Sequence, residues 1–117
     1  METEENKKKW ALQCINLNIY TSFTLGVCER VVKNRMDGNT DRKVLDMLVA
    51  AITVREHWRA QALMLEGALP ELDGDLRELA GSGLESYHQA DDVLWRTIKL
   101  VADELPHSNI VYGATVH

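Results

Sequence analysis

The sequence predicts an all-α protein, an antiparallel helical bundle of three long helices and one short helix, assembled as a dimer. Three observations carry that expectation. Apolar residues recur at three- and four-residue spacing through most of the 117 positions, the period that lines one side of a helix. Proline, the strongest helix breaker, occurs twice, and Leu, Ala, Val and Glu are abundant. Turn and cap residues gather between the periodic segments instead of inside them.

Helix one is expected from about Thr3 to Met36, with Trp10, Cys14, Leu17, Thr21, Leu25, Cys28 and Val32 on its main apolar stripe. The run Ile15 to Thr21, "INLNIYT", alternates apolar and polar residues like a half-buried strand. The helical spacing on either side of it, and the lack of a partner strand, favour helix. "DGNT" at Asp37 to Thr40 ends the segment. Gly38 tolerates left-handed backbone, and Asn39 or Thr40 can cap the next helix.

Helix two is expected from about Asp41 to Glu66, with Gly67 stopping it. Pro70 opens a short third helix through "ELDGDLRELA", which Gly74 weakens by roughly 1 kcal/mol relative to Ala. "GSG" at Gly81 to Gly83 reads as a loop. Helix four then runs from about Leu84 to Leu105, where Pro106 ends it. Residues 1–105 form one bundle domain in this reading, and residues 106–117, "PHSNIVYGATVH", form a tail without helical period.

Composition narrows the function classes. The chain is 45% hydrophobic, enough for one core, and its net charge of −5 with dispersed Lys and Arg argues against a nucleic-acid groove. Lys7-Lys8-Lys9 reads as a solvated first turn. No apolar run is long enough to span a membrane, and the amino end lacks the apolar stretch of a secretory signal. A cytoplasmic protein is expected. Cys14 and Cys28, about 21 Å apart along one helix, cannot bridge each other and read as reduced core residues.

Helical projection singles out two charges. Helix four carries Leu84, Tyr87, Leu94, Ile98, Val101 and Leu105 on its core stripe, and Asp91 points into that stripe. Glu85, His88, Asp92, Arg96, Lys99 and Asp103 occupy a neighbouring hydrated stripe laced by weak ion pairs. Helix two has its core stripe at Val44, Met47, Leu48, Ala51, Trp58, Ala62 and Leu65, with Arg55 near the centre. Opposite charges in two apolar faces predict an Arg55–Asp91 ion pair, either purely structural or part of a ligand-binding site.

Helix one is apolar around most of its circumference. Beside its main stripe it carries Leu12, Ile15, Ile19, Phe23 and Val27, which predicts a second buried face and places the dimer interface there. Its polar residues Asn16, Asn18, Thr21, Ser22 and Thr24 then need partners in the backbone, in a second subunit or in a pocket.

Two family resemblances bear on chemistry. "ESYH" at Glu85 to His88 resembles the Glu-x-x-His element of the ferritin-like di-iron bundles. That resemblance implies iron or another divalent metal held by Glu85 and His88 with Glu56 from helix two, the site being completed across a dimer interface. One such motif is present where a complete single-chain site has two. His57 points about 100° away from Glu56 and cannot share its metal.

"ADDVLWRTIKLVADEL" is similar to the late helix of the all-α nucleoside triphosphate pyrophosphohydrolases, and implies Mg²⁺ held by paired acidic motifs. Here the matching positions read Gln89-x-x-Asp92, and Asp75-Leu76-Arg77-Glu78 is the nearest earlier substitute. Outside these resemblances no cofactor is expected. The chain shows no Gly-rich phosphate loop, and "HWRAQ" lacks the Lys-Gly that follows the histidine of phosphotransfer domains. The leading expectation is therefore a non-enzymatic interaction protein, an adaptor, inhibitor or regulator that binds a protein partner and a second copy of itself.

Overall fold

The computed structural model describes residues 4–105, and every regular element in them is helical. The expected tail at 106–117 lies outside the described residues. None of the described helices is long and apolar enough to cross a membrane.

Helix α1 spans Glu4–Met36, with acidic Glu4 and Glu5 in its first turn and basic Lys33 and Arg35 in its last, as the helix dipole favours. It ends in a Schellman motif. Asn39 N–H donates to Asn34 O at 2.8 Å and Gly38 N–H to Arg35 O at 3.1 Å, with Gly38 at φ 72°. The cap that follows differs from expectation. Asp41, not Asn39 or Thr40, accepts from the backbone N–H of Lys43 at 3.0 Å, and the Thr40 hydroxyl donates to Glu104 instead.

The expected second helix is two helices, α2 (Arg42–Thr53) and α3 (Arg55–Ala68), broken at Val54, whose φ of −95° and ψ of 1° leave the helical region. The local cause is legible. Ile52, Thr53 and Val54 are consecutive β-branched residues, and Thr53 Oγ1 donates back to Val49 O at 2.8 Å, a bond that bends helices. The Tyr20 hydroxyl of α1 reaches the carbonyl of Ala51 beside the break.

Gly67 falls inside α3, and Pro70 lies in a short 3₁₀ turn, Leu69–Glu71, instead of opening a helix. The expected short third helix and the fourth helix are one continuous element, α4 (Gly74–Leu100), followed by a 3₁₀ turn at Ala102–Glu104. Gly74 opens α4 at φ 55°. "GSG" is therefore helical. Ala80, Gly83, Leu84 and Tyr87 share its buried face, and a Cβ at Gly83 would stand 3.2 Å from Asn18 Oδ1, so a small residue here lets α4 approach α1. Burial of that face outweighs the roughly 1 kcal/mol by which each glycine disfavours helix.

At Gly81, where a Cβ would meet nothing within 4 Å, alanine is expected to stabilise the protein by about 0.5–1 kcal/mol. A urea titration of Gly81→Ala checks this. A lower midpoint would mean that the segment is not helical.

The buried residues form two apolar clusters. At one end Cys14, Leu17 and Tyr20 of α1 meet Ala62 and Leu65 of α3 and Ala80, Leu84 and Tyr87 of α4. At the other, Val27, Cys28 and Val31 meet Val44, Leu45, Leu48 and Ala51 of α2 and Leu94 and Ile98 of α4. The order of these contacts sets direction. The α2–α3 rod runs opposite to α1, and α4 runs alongside α1 in the same sense. Cys14 and Cys28 are both buried free thiols.

Candidate functional site

Between the two apolar clusters lies a polar layer. Arg55 falls in sequence between Ala51 of one cluster and Ala62 of the other, and Asp91 between Tyr87 and Leu94. Their side chains meet in a bidentate pair, Arg55 Nε donating to Asp91 Oδ1 at 2.7 Å and Nη2 to Oδ2 at 2.9 Å. The guanidinium also reaches Glu56 Oε1 at 3.2 Å through Nη1 and lies over the Trp95 ring, 4.9 Å from its centroid. Arg55 is the first residue after the Val54 break and Asp91 lies mid-way along α4, so the clamp ties the irregular point of one rod to the regular part of another.

The Arg55 side chain is only 6% exposed and that of Asp91 22%. Burial works against the charge of Arg55, but the hydrogen bonds and attraction of Asp91 outweigh it and hold its pKa above the ordinary value. With both carboxylate oxygens engaged, Asp91 acts here as an acceptor and brace.

Beside the clamp, a cleft of about 220 Å³ opens between α3 and α4, bordered by Arg59, Ala62, Leu63, Glu66, Tyr87, His88 and Asp91. His88 Nε2 contacts Glu66 Oε1 at 2.5 Å. Glu66 is a partner that the sequence reading passed over; the usable signal was an acidic residue on α3 opposite His88, visible only once the two helices are placed side by side. Trp95 was missed in the same way, although it stands one turn after Asp91.

The three residues of the metal reading take separate roles. Glu56 lies against Arg55 and Arg59, His88 is an exposed residue on Glu66, and Glu85 is exposed on α4. Among the described residues, no group of three or more His, Cys, Asp or Glu side chains could hold a metal ion. Glu85, His88, Asp92, Arg96 and Lys99 of α4 and Asp103 in the turn beyond it are all exposed, and Arg96 pairs with Asp92.

Tyr87 is buried, 3% exposed, and its hydroxyl has no hydrogen-bond partner among the described residues. Burial, then the negative charge of Asp91, pushes its pKa up from the ordinary value of 10.0. Tyr20 shifts upward as well, chiefly through burial, as do Cys14 and Cys28 from an ordinary 9.0. For each group the folded state holds its proton more tightly than the unfolded chain, so the stability this contributes is present below about pH 9 and declines as pH rises beyond it. Melting temperature against pH is expected to fall above pH 9. Tyr87→Phe should flatten part of that fall and be at least as stable near neutrality, because an unpartnered buried hydroxyl costs about 1–3 kcal/mol.

The second candidate surface is the outer side of α1. Leu12, Ile15, Ile19 and Phe23 are exposed, Ile19 to 63%. At 100° per residue they lie on the side of the helix away from Cys14, Leu17, Thr24 and Val31. Val27 does not belong with them. It is 2% exposed and packs with Cys28, Val31 and Leu94, because its direction falls at the edge of the inner face, where α4 and α2 close over it. Of the polar residues on α1, Asn16 and Asn18 are half-buried, Ser22 is exposed, and Thr21 and Thr24 are buried.

The chain matches no known family model, curated protein or solved structure. The functional reading rests on the two surfaces described here, the clamp between α3 and α4 and the outer face of α1.

Proposed function

We propose that this protein is a small cytoplasmic interaction protein, a helical bundle that acts by binding rather than by catalysis, and that the outer face of α1 joins it to a second copy of itself. One observation carries the reading. Four large apolar side chains, Leu12, Ile15, Ile19 and Phe23, stand exposed in a row on a helix whose opposite side is already buried. Contiguous apolar surface of that kind on a folded chain marks a place where another surface docks. A closed two-fold dimer covers the same patch on both copies at once and leaves none exposed. The other end-on and side-on surfaces then remain for a protein partner, as an adaptor, inhibitor or regulator requires.

Sedimentation velocity at increasing micromolar concentration tests the reading. The wild type is expected to sediment as a dimer and Ile19→Asp as a folded monomer. A wild type that stays monomeric to about 100 μM, where a contact would release roughly 5–6 kcal/mol at most, ends the proposal.

A further inference from the structure

The reading of α1 as a self-association face leads to a defined geometry, and this inference rests on that reading. We infer that two copies pair through α1 in antiparallel orientation, with the two-fold axis passing beside Ile19. The inference comes from the order of large, small and charged residues along the exposed stripe.

On a wheel of 100° per residue, Glu5, Lys8, Leu12, Ile15, Ile19, Phe23, Gly26, Arg30 and Lys33 all fall within one outward-facing arc. A two-fold at Ile19 brings residues equally far from it, in opposite directions, face to face, and the wheel keeps each such pair on the seam. Ile15 then meets Phe23, and Leu12 meets Gly26. At Gly26 a Cβ would meet nothing within 4 Å, so the helix surface is open there and receives the larger side chain. Interdigitation of large against small is what a close helix contact needs.

Charge decides between the two orientations. The acidic first turn of α1, Glu4 and Glu5, faces the basic last turn with Lys33 in the antiparallel pair. Glu5 meets Lys33 twice, once on each side of the axis, and Lys8 meets Arg30 twice as like-charged pairs at the exposed margin. In a parallel pair every residue faces its own copy, so Glu5, Lys8, Arg30 and Lys33 each meet a like charge, the two helix dipoles align unfavourably, and Gly26 faces Gly26 across a gap. The parallel arrangement thus carries four like-charge contacts, against two like-charge and two opposite-charge contacts in the antiparallel one.

A nitroxide label at Glu5→Cys, read by pulsed dipolar spectroscopy on the full chain, measures the orientation, since Cys14 and Cys28 are buried and take no label in the folded protein. Antiparallel pairing places the two labelled backbones about 42 Å apart, from 28 residues at 1.5 Å. Parallel pairing places them about 8–10 Å apart. A short distance in a protein that still sediments as a dimer overturns the antiparallel geometry and leaves the self-association reading standing; a wild type that is monomeric overturns both.

Charge exchange supplies a second readout. Lys33→Glu is expected to raise the dimer Kd several-fold, and adding Glu5→Lys to it should return the Kd to the wild-type range. A double variant no tighter than Lys33→Glu alone overturns the register.

Discussion

Asp91→Ala is expected to lower folding stability by about 3–5 kcal/mol, while Asp92→Ala, one position away, should change it by less than about 0.5 kcal/mol. The difference lies in what each carboxylate touches. Asp91 accepts two hydrogen bonds from a guanidinium that is 6% exposed, so its removal leaves Arg55 charged, nearly buried and held only by Glu56 and the face of Trp95. Asp92 pairs with Arg96 on the open surface, where water replaces either partner.

Because Asp91 is 22% exposed, water can reach the vacated site, and the lower end of the range is the better expectation. Denaturant unfolding of the two variants measures the contrast, and similar midpoints for both would refute the clamp as a stabilising feature. Replacing both partners, Arg55→Met with Asp91→Leu, should recover much of the loss, since a buried ion pair contributes little beyond a well-packed apolar pair.

The second large effect separates two residues of α1 that share an apolar character. Val27→Asp is expected to unfold the protein or lower its stability by several kcal/mol, because an unpaired carboxylate would be forced between Val31, Leu48 and Leu94 in the core. Ile19→Asp should leave stability within about 1 kcal/mol, since the side chain is 63% exposed, and should act on association instead. Circular-dichroism melting and sedimentation on the same two samples check both halves. Loss of fold in Ile19→Asp would show that this side of α1 packs within the chain.

Much of the inner architecture was legible from spacing alone. Leu84, Tyr87, Leu94 and Ile98 of α4 are all buried, as helical projection requires, whereas Val101 and Leu105 are buried from the irregular segment after Leu100, where the expected helix to Leu105 has already ended. The same projection put Arg55 and Asp91 into the apolar faces of two different helices, and in the structure they meet. Both successes have one cause. Which way a side chain points from a regular helix depends only on position along that helix, so the pattern is readable without knowing the neighbours.

Element boundaries were less legible. "GSG" carries the composition of a turn, yet it continues α4, because Gly83 allows close approach to Asn18 and its neighbours Ala80 and Leu84 are buried. The break at Val54 ran the other way, inside a segment with uninterrupted apolar period. There a β-branched run and the back-bonded Thr53 weaken the helix, while Tyr20 from α1 reaches the carbonyl of Ala51 beside it. In both places a weak local preference met a contact with a distant residue, and the contact decided.

The candidate site divides along the same line. Helical period alone carries the helical class of the chain, the placement of its charged and apolar faces, and the inward direction of one arginine and one aspartate. The contact of Glu66 with His88, the seat of Arg55 over Trp95, and the burial of Val27 beside an exposed Ile19 come from packing instead. These depend on which helices lie side by side and how far each wraps around α1, and a period of 3.6 residues carries no information about a neighbour.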